Sequence, residues 1–379
     1  MAAKGKIRAK TPVAGKPQAP PVPGLSKPTT GPPEDFEKAE PGRGRIAASP
    51  RRIPWTGWGD ILWRTWREVE ADRLNAVAAG VTFYALLAIF PAVGVFVSIY
   101  GLVADVARVS DQLGDLAAFV PREALGLVGD QMVRLASQRD SSLSLAFAVS
   151  LLVSLWSANA GMSALFDGLN VAYDEEERRN FALRRAVTLG FTFAAILFAV
   201  AVAGVLVAVP LVLERIDADV LLPLVIPLRW VFLLGLTAGS FAVIYRYGPS
   251  RERARWRWVT VGGVAAAALW VGGSLGFSWY LNNVAHFDRT YGPLAAVVGF
   301  MMWLWFSAMV VLLGAELNAE IEHQTALDST TGEPQPMGER GAAMADTVGR
   351  RFAGLRAGIA WFHDTLGAQV GRFRKPRRS

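Results

Sequence analysis

A polytopic helical membrane bundle, all-α with about six transmembrane helices, is the fold class this sequence predicts, and three observations predict it. About six apolar stretches run between Val77 and Ala315, each near the roughly 20 residues that a hydrocarbon core about 30 Å thick demands at about 1.5 Å per residue. Arginine is concentrated in every second link between them. Finally, 52% of the residues are hydrophobic and 13 are Trp, and the mean hydropathy of +0.30 is too high for a soluble domain of this length.

Residues 1–54 are dense in Pro, Gly, Ala and Lys, with a Pro-rich piece at 17–23 and a Pro32-Pro33 pair. They carry no sustained hydrophobic period, which predicts a disordered, basic cytoplasmic arm of local polyproline character. The first apolar run follows this long polar lead, so insertion is expected to begin with the first span itself. Over residues 55–76, Trp58, Ile61, Leu62, Trp66 and Val69 recur at helical spacing, with Arg64, Arg67, Glu68 and Arg73 largely opposite them. That spacing predicts an amphipathic helix lying at the membrane interface.

The membrane domain is expected over 77–315, with spans at about 77–104, 143–170, 186–213, 221–247, 259–281 and 293–315. The second-to-third link holds Arg178, Arg179, Arg184 and Arg185, and the fourth-to-fifth holds Arg246, Arg251, Arg253, Arg255 and Arg257. The intervening links carry only Arg215 and Arg289, and the longer first-to-second link balances its arginines with acids. The positive-inside rule then predicts both termini in the cytoplasm. Arg178, Arg179, Arg251, Arg253, Arg255 and Arg257, with Trp256 and Trp258, are expected at the membrane interface facing anionic headgroups. In the first-to-second link, 106–116 and 125–135 have the spacing of two short external helices, the second beginning after Pro121.

Residues 316–341 read as a polar cytoplasmic linker. In 342–379, Val348, Phe352, Leu355, Ile359, Phe362, Leu366, Val370 and Phe373 recur at helical spacing beside arginines, which predicts a basic amphipathic cytoplasmic helix and tail.

Polar residues inside apolar spans are expensive and mark protein interiors or water-filled paths. Trp156, Ser157, Asn159, Asp167, Asn170 and Tyr173 form the densest such set, and Asn159 and Asp167 lie about 80° apart on one helix. A candidate polar path therefore comprises Tyr84, Asn159, Asp167, Asn170 and Glu316, and interhelical hydrogen bonding is the alternative use of the same residues. Pro91 is a candidate helix kink in the first span. Arg229 is expected to snorkel at the external interface. The small residues of Gly235 to Gly239 and Gly272 to Gly276 are expected to permit close helix contact.

No catalytic constellation is evident. The three histidines, His286, His323 and His363, belong to no metal-binding repeat, and neither a phosphate-binding glycine loop nor a nucleophile elbow is present. The absence of Cys removes disulfides and thiolate sites. No metal or cofactor is implied. The net charge of +7 lies beside apolar spans, which points to anionic lipid rather than nucleic acid as partner.

Four segments resemble one family, the YihY/BrkB membrane proteins, some of which carry the historical label ribonuclease BN. They are Asp72-Arg-Leu-Asn-Ala-Val-Ala-Ala-Gly-Val-Thr-Phe-Tyr84 leading to Phe90-Pro91; Gly168-Leu-Asn-Val-Ala-Tyr-Asp-Glu-Glu-Glu-Arg178; Tyr245-Arg-Tyr-Gly-Pro-Ser-Arg251; and Tyr291-Gly292 through Gly314-Ala-Glu-Leu-Asn-Ala-Glu320. Val261 and Pro293 are modest departures from the family's pattern. The resemblance implies a six-helix protein of the bacterial inner membrane with cytoplasmic termini, linked in some members to serum resistance and in others to envelope lipid export. It implies no enzyme, because the ribonuclease of that name is a soluble metal-dependent hydrolase whose histidine and aspartate motif is missing here. The expected function is a transporter or flippase-like exporter of a lipid or small amphiphilic or ionic solute in envelope homeostasis. The alternative is a non-transporting envelope scaffold. A homo-oligomer is compatible with either.

Overall fold

A computed structural model of the chain describes residues 32–103, 143–215, 222–284 and 294–352. Among the described residues there are eight α-helices and no strand: α1 (Pro33–Ala39), α2 (Trp55–Ala71), α3 (Leu74–Val103), α4 (Leu143–Ala172), α5 (Phe181–Arg215), α6 (Leu222–Tyr247), α7 (Trp256–Asn283) and α8 (Ala295–Glu322). The last six are 26 to 35 residues long, a rise of about 40–50 Å that exceeds a bilayer's hydrocarbon core. Phe181–Ala199, Leu228–Tyr247, Trp256–Leu281 and Ala295–Glu322 are long and apolar enough to cross a membrane, and Leu74–Ala88 forms a shorter apolar stretch. The external helices expected in the first-to-second link lie outside the described residues.

The ends of these helices follow local chemistry. Pro33 opens α1 and Pro54 precedes α2, where a fixed φ and a missing donor cost nothing. The corners after α2 and α4 turn through Arg73 and Asp174, both at φ 52, a left-handed conformation usually left to Gly or Asn.

Packing is uneven. α3 and α4 pair along much of their length, α6 and α7 form a second pair, and α8 lies against α2, α3, α4 and α7; α5 rests on α4 and meets α6 only sparsely. At the α7–α8 crossing a Cβ on Gly262 would stand 2.2 Å from the Gly314 carbonyl oxygen, so only glycine permits that approach. Among the small residues expected to mediate close contact, Gly273 meets the Phe306 ring, whereas Gly235, Gly239, Gly272 and Gly276 face open space. Leu152, Phe193, Leu197, Phe232 and Trp279 are exposed, a surface suited to lipid. The tightest core gathers toward one end, around Ile61, Leu74, Phe166, Leu169, Tyr173, Tyr245, Trp258 and Leu312.

That end is closed by a folded cap. Residues 1–31 lie outside the described set, but from Pro32 onward the arm expected to be disordered is packed: Arg45, Ala47 and Ile53 are buried. The segment 316–341 is no free linker either. Glu316 to Glu322 continue α8 as buried helix, and Gln324, Thr325, Ser329 and Thr330 are buried beyond it. Residues 342–352 are turns, bends and irregular chain rather than helix, and the remainder of the expected terminal helix lies outside the described residues. The amphipathic helix is present as α2, but it buries Arg64 together with Ile61 and exposes Leu62 and Trp66, because Arg64 has partners inside the cap.

Candidate functional site

The five residues of the candidate polar path fall in different environments. Asp167 is exposed and accepts two bonds from Arg184 Nη2, at 2.7 and 2.8 Å. Asn170 is buried and ties connections together, accepting from the Ser250 amide at 2.8 Å and donating to Glu177 at 3.3 Å. Asn159 and Glu316 are both buried, and the Asn159 Oδ1 and both Glu316 carboxylate oxygens have no hydrogen-bond partner. Tyr84 is half-buried on α3, its Cβ facing Gly161 of α4. None of the five lines the cavity of about 760 Å³ or the hollow of about 830 Å³ formed by the described residues. Pro91 sits within α3, which continues from Leu74 to Val103 without interruption.

The residues expected at the membrane interface also divide. Arg178, Arg253, Arg257 and Trp256 are exposed, Arg179 and Arg255 half-buried. Arg251 and Trp258 are interior. The Arg251 side chain, only 2% exposed, pairs with Glu322 at 2.6 Å and lies over the Tyr173 ring at 5.0 Å, and Trp258 is 1% exposed in the core. A buried guanidinium survives only with a carboxylate beside it, and Glu322 supplies one.

The cap is an ionic network whose partners are far apart in sequence. Arg64 of α2 pairs with Glu320 of α8 and also donates to Gln324 Oε1 at 2.8 Å and to the Arg350 carbonyl at 2.9 Å. Asp60 accepts from Arg43, from Gln324 and from the Phe352 amide. Arg45 bonds Glu40 and the carbonyls of Gln324 and Gly349. Burial pulls the Arg45 guanidinium below its ordinary range despite Glu40. Sequence reasoning missed these roles. The signal available was the pair of acids Glu320 and Glu322, about half a turn apart at the end of an apolar span, each of which needs a cation if it is buried.

The middle of the bundle is hollow. A cavity of about 760 Å³ is walled by all six long helices, among them Ala85 of α3, Leu165 of α4, Phe198 of α5, Phe241 of α6, Trp270 of α7 and Val311 of α8. Its hydroxyls are spent on their own helices: Thr82 donates to the Ala78 carbonyl, Thr237 to Leu233 and Ser307 to Trp303, each at 2.8 Å. The Trp270 indole donates in turn to Ser307 Oγ at 3.0 Å and the Trp303 indole to Ser274 Oγ at 3.2 Å. A wall with its polar groups already paired offers little to replace an ion's hydration shell and much to an aliphatic chain.

Comparison with known proteins places this architecture. A family described as Virulence factor BrkB matches residues 65–338. The putative ribonuclease-like protein YfkH of Bacillus subtilis is 27% identical over 256 residues, which cover 66% of this chain and 90% of that protein. UPF0761 membrane proteins of Alkalilimnicola ehrlichii and Methylibium petroleiphilum are 39% and 36% identical over 79 and 85 residues. Those shorter matches cover 21% and 22% of the chain and 18% and 20% of the two relatives. No solved structure matches the chain.

Proposed function

The chain belongs to the Virulence factor BrkB family of membrane proteins, and from that membership and the hollow between its helices we propose that it binds a lipid or lipid-like amphiphile and moves it across the membrane. The observation that carries this reading is the apolar cavity of about 760 Å³, to which every long helix contributes a wall. Such a volume suits an acyl chain, and the paired hydroxyls favour an amphiphile over a small ion. The sparse α5–α6 contact supports lateral entry from the bilayer.

In this reading the protein sits in a bacterial inner membrane with both termini cytoplasmic, an orientation supported by the arginines of alternate links. Its partners are membrane lipids, not nucleic acid, and no catalytic step is involved. The name of the Bacillus relative speaks of ribonuclease likeness, but the reading needs no hydrolysis. An envelope scaffold finds its support in the folded cap, where the segment before α2 and the segment after α8 are joined as an interaction platform would be.

The test is reconstitution in liposomes with labelled lipids, comparing wild type with Ala85→Trp, which places a bulky ring in the cavity and narrows it. Wild type is expected to move lipid faster than protein-free liposomes do, and the variant to slow it by about tenfold or more. Movement no faster than in empty liposomes, or an unchanged rate in a folded Ala85→Trp protein, overturns the reading.

A further inference from the structure

A second hollow of about 830 Å³ opens at the capped end between α5 and α6. Leu183, Val187 and Phe191 of α5 and Val243 of α6 give it an apolar floor, and five arginines form its rim with Glu252 as the one lining carboxylate. Three of those guanidiniums are already engaged: Arg251 by Glu322 at 2.6 Å, Arg178 by Glu175 at 3.2 Å and the Nε of Arg179 by Glu177 at 3.4 Å.

The other two differ. Arg246 bonds the Ala254 carbonyl and lies over the Trp256 ring at 4.6 Å, and Arg253 lies over the Tyr247 ring at 5.1 Å. Ring faces orient a guanidinium without neutralising it, so both positive charges remain uncompensated by carboxylates among the described residues. Moreover, Arg246 Nε and Arg179 Nη1 are buried donors with no acceptor. An anion seated there would satisfy them with charge-assisted bonds, and guanidinium geometry favours the paired oxygens of a phosphate.

We propose that this hollow binds the phosphate of an anionic phospholipid, held by Arg246 and Arg253 with Arg179 alongside, while the acyl chains lie on the apolar floor between α5 and α6. A free phosphate satisfies the same donors but gains nothing from the floor, whereas a lipid uses both. The sparse contact between α5 and α6 leaves the floor open to the bilayer. As the loading point for transport the site rests on the preceding reading; as a binding site it stands by itself.

The experiment measures equilibrium binding of fluorescent phosphatidylglycerol and phosphatidylcholine to the full-length protein in detergent micelles, with inorganic phosphate as competitor. Wild type is expected to favour phosphatidylglycerol by about tenfold, and Arg246→Gln/Arg253→Gln to lose that preference. Arg253→Gln alone, which removes a charge whose recorded contact is a ring face, is expected to weaken it severalfold in a folded protein. Arg52→Gln, an exposed charge outside the hollow, controls for net charge. Equal binding of the two lipids, a preference that survives the double substitution, or full displacement by inorganic phosphate alone overturns the site. An intact preference in a protein that moves no lipid supports the site and overturns the transport reading instead.

Discussion

The cap and the middle of the bundle follow opposite rules. In the cap, three buried guanidiniums are matched to carboxylates, Arg64 with Glu320, Arg251 with Glu322 and Arg45 with Glu40, while Glu316, where α8 enters the cap, is buried without a hydrogen-bond partner. In the middle the helices stand apart around an apolar hollow whose few polar groups are already paired. The cap fixes geometry through strong directional contacts, and the middle preserves room. The proposed movement of a lipid between the helices would require both.

The largest expected effect tests the cap. Glu320→Ala leaves Arg64 as a buried charge without its carboxylate and is expected to destabilise the protein by about 3–5 kcal/mol, read as a fall in the thermal midpoint in detergent. A midpoint within error of wild type would show that the cap does not behave as a rigid closure. Next comes a matched pair of leucines on different sides of the contrast. Leu312→Ala, in the core near the cap with no exposed surface, is expected to cost about 2–5 kcal/mol. Leu234→Ala, on the cavity wall and 41% exposed, is expected to cost less than about 1 kcal/mol, because it enlarges a space that already exists. Equal losses would erase the distinction between the two regions.

Smaller still is Asp167→Asn. The pair with Arg184 is exposed, so its removal is expected to change stability by no more than about 1 kcal/mol and to leave lipid movement unaltered. A lost transport rate in that variant would return Asp167 to a path through the bundle. The mildest effect is a pH dependence at the cap's edge. Burial pushes the Glu175 carboxyl up, against the Ala343 amide and the nearby Arg251 and Arg178. A raised folded-state value means that this group's contribution is full below its unfolded value and is lost as pH rises through the folded one. Wild type should therefore lose stability relative to Glu175→Gln as pH rises above the ordinary carboxylate range, measured as the difference in thermal midpoints. A flat difference would remove Glu175 from the account.

The contrast also explains what the sequence discloses. The long apolar helices are legible because span length is a local property, and the acids after Ala315 are visible as acids. The burial of Arg64 is not legible from its own helix, since its partner is 256 residues away, and the spacing of α2 assigns it to the polar face. The hollow is hidden for a different reason. Val231 lines the cavity yet is 65% exposed, and a residue that faces lipid and one that faces a cavity obey the same hydropathy. Asn159 and Glu316 are correctly marked by type as unusual in an apolar helix, but their separation from the cavity walls depends on how helices pack rather than on spacing within one helix.

The cap joins the beginning and the end of the described chain, and that has a consequence for synthesis. Arg45 donates to the carbonyl of Gln324, 279 residues later, so the early part of the cap emerges from the ribosome long before the segment that completes it. Until α8 has been made and inserted, Arg45, Asp60 and Arg64 lack the partners supplied by Glu320, Gln324, Gly349 and Phe352 and must stay hydrated. Closing the cap is therefore a late assembly step: a chain stalled before α8 keeps its early charged segment without these partners, whereas a finished chain withdraws it.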